Sequence, residues 1–102
     1  MDISLVDRGR EGELLLQGSM DAKSELGTER IFDEMTRRYD HLILNMAGVD
    51  YVFSPGLRLL KSTHLAMQKK GGELTVAYVS KPVMEVLELA GFSGLLHFEH
   101  SS

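Results

Sequence analysis

Few residues in this sequence could do chemistry. Four histidines occur, His41, His64, His97 and His100, and none sits in an H-x-H or H-E-x-x-H pattern that would hold a metal. His41 opens an apolar run, His64 falls inside a helical stretch, and His97 and His100 lie near the chain end. Structural or surface roles are expected for each. The chain has no cysteine, which removes disulfides, thiolate metal sites and thiol nucleophiles. No serine occupies a G-x-S-x-G elbow, and neither Gly9-Arg10-Glu11-Gly12 nor Gly71-Gly72 leads into a phosphate-binding GK[ST] loop. The chain is therefore not expected to be an enzyme, and no cofactor or metal is expected of it.

One arrangement differs. Phe53-Ser54-Pro55-Gly56 places a serine hydroxyl where an extended run hands over to a helix. In parallel α/β sheets such junctions lie at the carboxyl edge, where ligands and partners meet the fold. A phosphate on Ser54 would add about -1.5 to -2 of charge beside the unpaired N–H groups of a helix start, which favour it. The change would be felt by whatever docks there. The plain alternative is that Ser54 is only an N-cap, with Pro55 at the first helical position.

The elements that position this junction follow from periodicity. Ile3 to Asp7 alternates, Arg8 to Gly12 turns, and Leu14-Leu15-Leu16 follows, so the first two strands read as a hairpin. Gly18-Ser19-Met20-Asp21 breaks the pattern. A helix is predicted from about Ala22 to Tyr39, or from Thr28 because of Gly27, with Leu26, Ile31, Phe32, Met35 and Tyr39 inward. Leu42 to Met46 reads as a central strand covered on both faces, followed by a loop over Ala47 to Phe53. A second helix runs to about Lys70 and stops at Gly71-Gly72, with Lys69 and Lys70 against its negative end. Leu74 to Val79 is the next strand. Ser80 caps a third helix, Lys81 to Ala90, with Val83, Val86, Leu87 and Ala90 inward, and Leu95 to Phe98 is the last strand. Helices alternating with strands imply right-handed parallel crossovers.

Composition bounds the rest. A chain of 102 residues is one domain, 1–102, and buries roughly 65% of its unfolded surface. The net charge of -4 argues against a nucleic-acid partner. No apolar run is long enough to span a membrane and no signal peptide opens the chain, so a cytoplasmic location is expected. The hairpin edge could pair with another chain, but a monomer is expected.

Several segments together resemble the STAS domain family, the fold of bacterial anti-sigma factor antagonists. Leu16 to Ala22 is similar to its "G-x-L-D" segment, with Met20 for leucine. His41 to Val52 resembles its central strand and loop. Ser54-Pro55-Gly56-Leu57-Arg58-Leu59-Leu60 resembles "S-S-G-L-x-x-L" or "S-S-A-G-L-R-x-L", and Gly71 to Leu74 and Val83 to Phe92 resemble its "G-G-x-L" and "V-x-x-V-L-x-L-x-G" tail. The resemblance implies an α/β STAS fold, with a mixed, mostly parallel sheet, an N-terminal hairpin and three to four helices. It also implies partner switching. The antagonist binds an anti-sigma serine kinase and frees the sigma factor, the kinase phosphorylates it, and a serine phosphatase resets the cycle. ATP and magnesium belong to the kinase.

Aligned on Gly56, Phe53 stands at the family's aspartate and Pro55 at its usual acceptor, which leaves Ser54 as the phosphoacceptor candidate. Partner-binding residues implied are Asp21, Phe53, Ser54, Pro55, Gly56, Arg58 and Lys61. Bland roles stand beside them: helix capping for Asp21, core filling for Phe53, a solvated stripe for Arg58, Lys61 and Leu65. Met20, Met35, Met46, Met67 and Met84 are expected to fill core. Pro55 keeps a second reading in view, an unphosphorylated STAS subunit of a lipid or solute transport complex.

Overall fold

The structure, a computed structural model, describes residues 1–21, 23, 25–92 and 97–99. Strands β1 (Asp2–Arg8) and β2 (Glu11–Met20) form the expected hairpin around a turn in which Gly9 adopts φ +78°. Helix α1 (Glu25–Arg38), strand β3 (His41–Val52), helix α2 (Ser54–Lys69), strand β4 (Glu73–Ala77), helix α3 (Lys81–Leu89) and strand β5 (His97–Glu99) follow. The sheet order is β1-β2-β3-β4-β5, and every pairing after the hairpin is parallel. Of the expected last strand, Leu95 and Leu96 lie outside the described residues, as do Ala22 of the first helix and His100.

The core lies on one face of the sheet. Leu14, Leu16, Leu42, Leu44, Met46, Leu74 and Val76 meet Phe32 and Met35 of α1, Leu60 and Met67 of α2, and Val83 and Leu87 of α3 in one cluster. On the other face Glu13, Ile43 and Asn45 are half-buried and Leu15 is exposed. The expectation that β3 is covered on both faces is thus corrected: only alternate residues are fully buried. Leu26 is corrected too. It is 73% exposed, because α1 meets the core only from Thr28 onward. Ala90 likewise faces solvent just past α3. Four of the five methionines singled out are buried, and Met84 is half-buried.

The largest correction concerns residues 47–53, which are strand, not loop, up to Val52. Two bulges hide this from a periodicity argument. Leu15 and Gln17 of β2 pair with Asn45 and Gly48, and Gly18 and Met20 pair with Val49 and Val52, so β3 carries an extra residue at each step. Inward positions therefore run Leu42, Leu44, Met46 and then Val49, Val52, changing from every second to every third residue. The Asn45 carboxamide oxygen accepts the Ala47 N–H at 3.1 Å and braces the first bulge. A Cβ on Gly48 would lie 2.8 Å from the Leu16 carbonyl oxygen, so glycine permits the close pairing there. β2 correspondingly runs on through Gly18-Ser19-Met20.

α2 ends as expected. Gly71 takes φ +80°, and Gly71 and Gly72 donate to the Gln68 and Met67 carbonyls at 3.1 and 2.8 Å. Lys70, however, serves the neighbouring helix. Its Nζ donates to the Thr36 and Tyr39 carbonyl oxygens at 2.7 and 2.9 Å, neutralising the end of α1.

The open sheet face carries a polar network. Arg8 meets Glu13 at 2.7 Å, the Asn45 amide donates to Glu13 at 2.9 Å, and His41 bridges Glu11 and Thr75 at 3.0 and 2.7 Å. The Asn45 hydrogen bond, with Arg8 adding to it, holds the Glu13 carboxyl below its ordinary value of 4.5, against the opposing effect of burial. A depressed carboxyl stabilises the fold above its unfolded value and loses that contribution as pH falls through the folded value. Wild type is accordingly expected to exceed Glu13→Gln in stability by about 1 kcal/mol at neutral pH. The gap should close in acid below 4.5. Urea denaturation of both proteins across this range checks it, and a gap that does not change with pH would refute it.

Candidate functional site

The end of β2 and the end of β3 run side by side and deliver the chain to the first turn of α2. Met20 pairs with Val52, and the Phe53 N–H donates to the Met20 carbonyl at 3.0 Å. Asp21 follows Met20 directly, so it arrives half-buried at the same edge as the start of α2. It lies four residues ahead of Glu25, where α1 begins.

The expected N-cap at Ser54 is also corrected. Phe53, extended at φ -93° and ψ 175°, is the cap residue, and its carbonyl accepts the Leu57 N–H at 3.0 Å. Ser54 is the first helical residue and Pro55 the second. The Phe53 side chain makes no capping hydrogen bond, and Ser54, exposed and already inside the helix, is not the cap residue. Pro55 suits its place because a first-turn residue needs no N–H partner. The first turn holds no acidic residue, and α2 as a whole carries none, so no carboxylate of the helix itself meets its positive end.

Gly56 explains how the turn sits so close to the sheet. A Cβ there would lie 2.6 Å from Met20 Cβ and 2.9 Å from Val52 Cγ1. Its role is therefore close packing beneath the site, and it is buried. Pro55 and Arg58, with Leu59 and Ser62 of α2 and Glu29 of α1, line a shallow groove beside the serine. Arg58 and Lys61 are exposed on successive turns, with Leu65 beyond them at 47% exposure.

Phe53 does not fill core. Its ring is 47% exposed and packs on Tyr51, centroid to centroid 4.6 Å, at 50°. Tyr51, 41% exposed, is a member of the ridge that the sequence reading missed. A signal for it existed, since residues two apart on an extended segment share a face. Reading 47–53 as a loop removed that inference. The site thus consists of an apolar aromatic pair, an exposed hydroxyl and two cations on one edge. Among the described residues, no group of three or more acids and histidines could hold a metal ion. No described helix is long and apolar enough to cross a membrane.

Residues 4–102 match the family model of the STAS domain. Among curated proteins, the chain is 27% identical over 78 residues to an anti-sigma F factor antagonist of Paenibacillus polymyxa, spanning 74% of this chain and 67% of that protein. Among solved structures, an anti-sigma factor antagonist from Mycobacterium paratuberculosis superposes with a TM-score of 0.85 at 16% identity, over 95% of this chain and 83% of that one. The Bacillus cell fate determinant SpoIIAA in its phosphorylated form gives 0.78 at 13% identity, over 99% and 92%. At such identities the structural likeness speaks for the fold.

Proposed function

From the premise that the chain belongs to the STAS domain family, we propose that it is an anti-sigma factor antagonist that works by partner switching, with Ser54 as its phosphoacceptor. Unmodified, it docks on an anti-sigma serine kinase through the edge formed by Asp21, Phe53, Ser54, Pro55, Arg58 and Lys61, and the sigma factor is released. The kinase, which holds ATP and magnesium, transfers the γ-phosphoryl group to the Ser54 oxygen. The hydroxyl proton is lost and ADP leaves. The new charge ends the complex, and a serine phosphatase restores the hydroxyl by hydrolysis.

The observation that carries this reading is the exposed Ser54 hydroxyl, outside the cap position, at a helix start with no acidic residue. A dianion there is favoured locally by unpaired N–H groups, so modification leaves the fold standing and alters only what the edge can bind. The named relative and the structural neighbours, described as anti-sigma factor antagonists, support the same reading.

Mass spectrometry after incubation with the cognate kinase and ATP tests it. The expected product carries one phosphoryl group on Ser54, and none forms on Ser54→Ala. An unmodified Ser54, under conditions that modify a related antagonist, would overturn the phosphorylation step. It would favour the transport-subunit reading that Pro55 keeps open. The docking edge has its own test. Phe53→Ala is expected to weaken kinase binding by about 10- to 100-fold, as loss of an aromatic anchor does. Its stability should change by only about 0.5 kcal/mol, because the ring is half outside the core. Calorimetric titration beside thermal melts separates the two effects.

A further inference from the structure

The outer edge of β1 lacks several of the features that keep sheet edges apart, although Asp2, Asp7 and Arg8 are charged. Its seven residues, Asp2–Arg8, contain no proline and no lysine. Its pairing with β2 runs without a bulge from Asp2↔Gln17 to Arg8↔Glu11. Such an edge offers a straight row of unpaired N–H and C=O groups. The two-residue turn at Gly9-Arg10 fixes which groups these are. Arg8 and Glu11 close the turn as a hydrogen-bonded pair, so even-numbered residues bond to β2. Ile3, Leu5 and Asp7 therefore turn their backbone groups outward.

We propose that this edge pairs antiparallel with β1 of a second copy of the chain, about a two-fold axis at Leu5. The centre and the charged ends of the strand are complementary to themselves in that register. Leu5 meets Leu5, Ile3 meets Asp7 of the other copy, and these three pairs supply six backbone hydrogen bonds. Asp2 lies opposite Arg8 at both ends, in non-hydrogen-bonded pairs where side chains approach closely. The Arg8 side chain is 46% exposed although Glu13 holds it at 2.7 Å and Glu11 lies at 3.7 Å, and its five N–H donors leave room for a further carboxylate. Leu5, 39% exposed, and half-buried Ile3 lose solvent-facing surface in the pairing. A slip by two residues in either direction separates Asp2 from Arg8, so one register is preferred. The contact is small, so a Kd on the order of 100 µM is expected. It uses no residue of the Ser54 edge, so Asp2→Arg leaves the proposed kinase contacts themselves intact.

The absence of cysteine allows a register-specific test. In Leu5→Cys the two thiols face each other across the axis, with Cα atoms about 5.5 Å apart, within disulfide reach. In Ile3→Cys they are about 14 Å apart, four strand steps away. Mild oxidation at about 1 mM protein, above the expected Kd, should cross-link the first variant and not the second. Sedimentation of the wild type should show dimerisation that Asp2→Arg weakens about tenfold, with kinase binding unchanged. A wild type that stays monomeric at about 1 mM overturns the proposal. Equal cross-linking of the two variants overturns it too, as does a dimer in which neither cross-links.

Discussion

Ser54→Asp is expected to reduce binding to the cognate anti-sigma kinase by about 100-fold or more, while Ser54→Ala binds nearly as wild type. The reasoning is electrostatic. Ser54 is exposed next to Phe53, whose ring packs on Tyr51, so a partner docked on this edge as proposed covers it. A carboxylate covered by a partner that offers it no cation typically costs 2–5 kcal/mol or more across an interface, which is roughly 30- to several-thousand-fold. Pairing with Arg58 at i+4 offsets only about 0.2–0.5 kcal/mol of it. The same carboxylate does no harm to the free protein. At the first position of α2, with no acidic neighbour in the turn, it interacts well with the positive helix end and adds about 0.3–1 kcal/mol. The signature is therefore a variant that melts at or above the wild-type temperature and fails to bind. Unfolding would lower both measures together. Equal affinity for all three proteins would reduce Ser54 to an ordinary first-turn residue and end the charge-switch account.

Gly56→Ala is expected to destabilise the domain by about 2 kcal/mol, lowering Tm by about 10 °C. Two effects oppose each other. Alanine in a helix is favoured over glycine by about 1 kcal/mol. Against this, the new methyl would lie 2.6 Å from Met20 Cβ, 2.9 Å from Val52 Cγ1 and 3.2 Å from the Met20 carbonyl oxygen. Met20 and Val52 are 2% and 1% exposed and have no space to retreat into, so the clash decides the sign. Gly27→Ala gives the contrasting case, because nothing lies within 4 Å of a Cβ there. That substitution should stabilise by up to about 1 kcal/mol. Thermal melts of the two variants check both signs, and a stabilised Gly56→Ala would refute the close-packing role. Relief of the clash must also push α2 away from β2 and β3, so Phe53 and Ser54 move with it. Kinase affinity should fall in the same variant.

The sequence by itself determined the order of the elements, the hairpin, the parallel crossovers, the Gly71 stop of α2 and the candidate at Ser54. Each is written locally, in glycine placement, in a proline after a polar residue, or in runs such as Leu42 to Met46. It also pointed to Gly56 through the motif, but not to the reason for it. That reason is distance: Met20 and Gly56 are far apart in the chain and meet only when β2 pairs with β3. The strand character of residues 47–52 was illegible for a related cause. A bulge is defined by the partner strand, and an extra residue in β3 looks like the end of a strand until Gln17 and Met20 are seen to keep pairing. Tyr51 and Phe53 become a ridge only through those bulges, which set both rings outward at the helix start. Lys70 reads as a cation at its own helix end, and tertiary contact gives it to α1. Local backbone chemistry is carried by neighbours in the chain, whereas exposure, register and close approach belong to pairs that only the fold brings together.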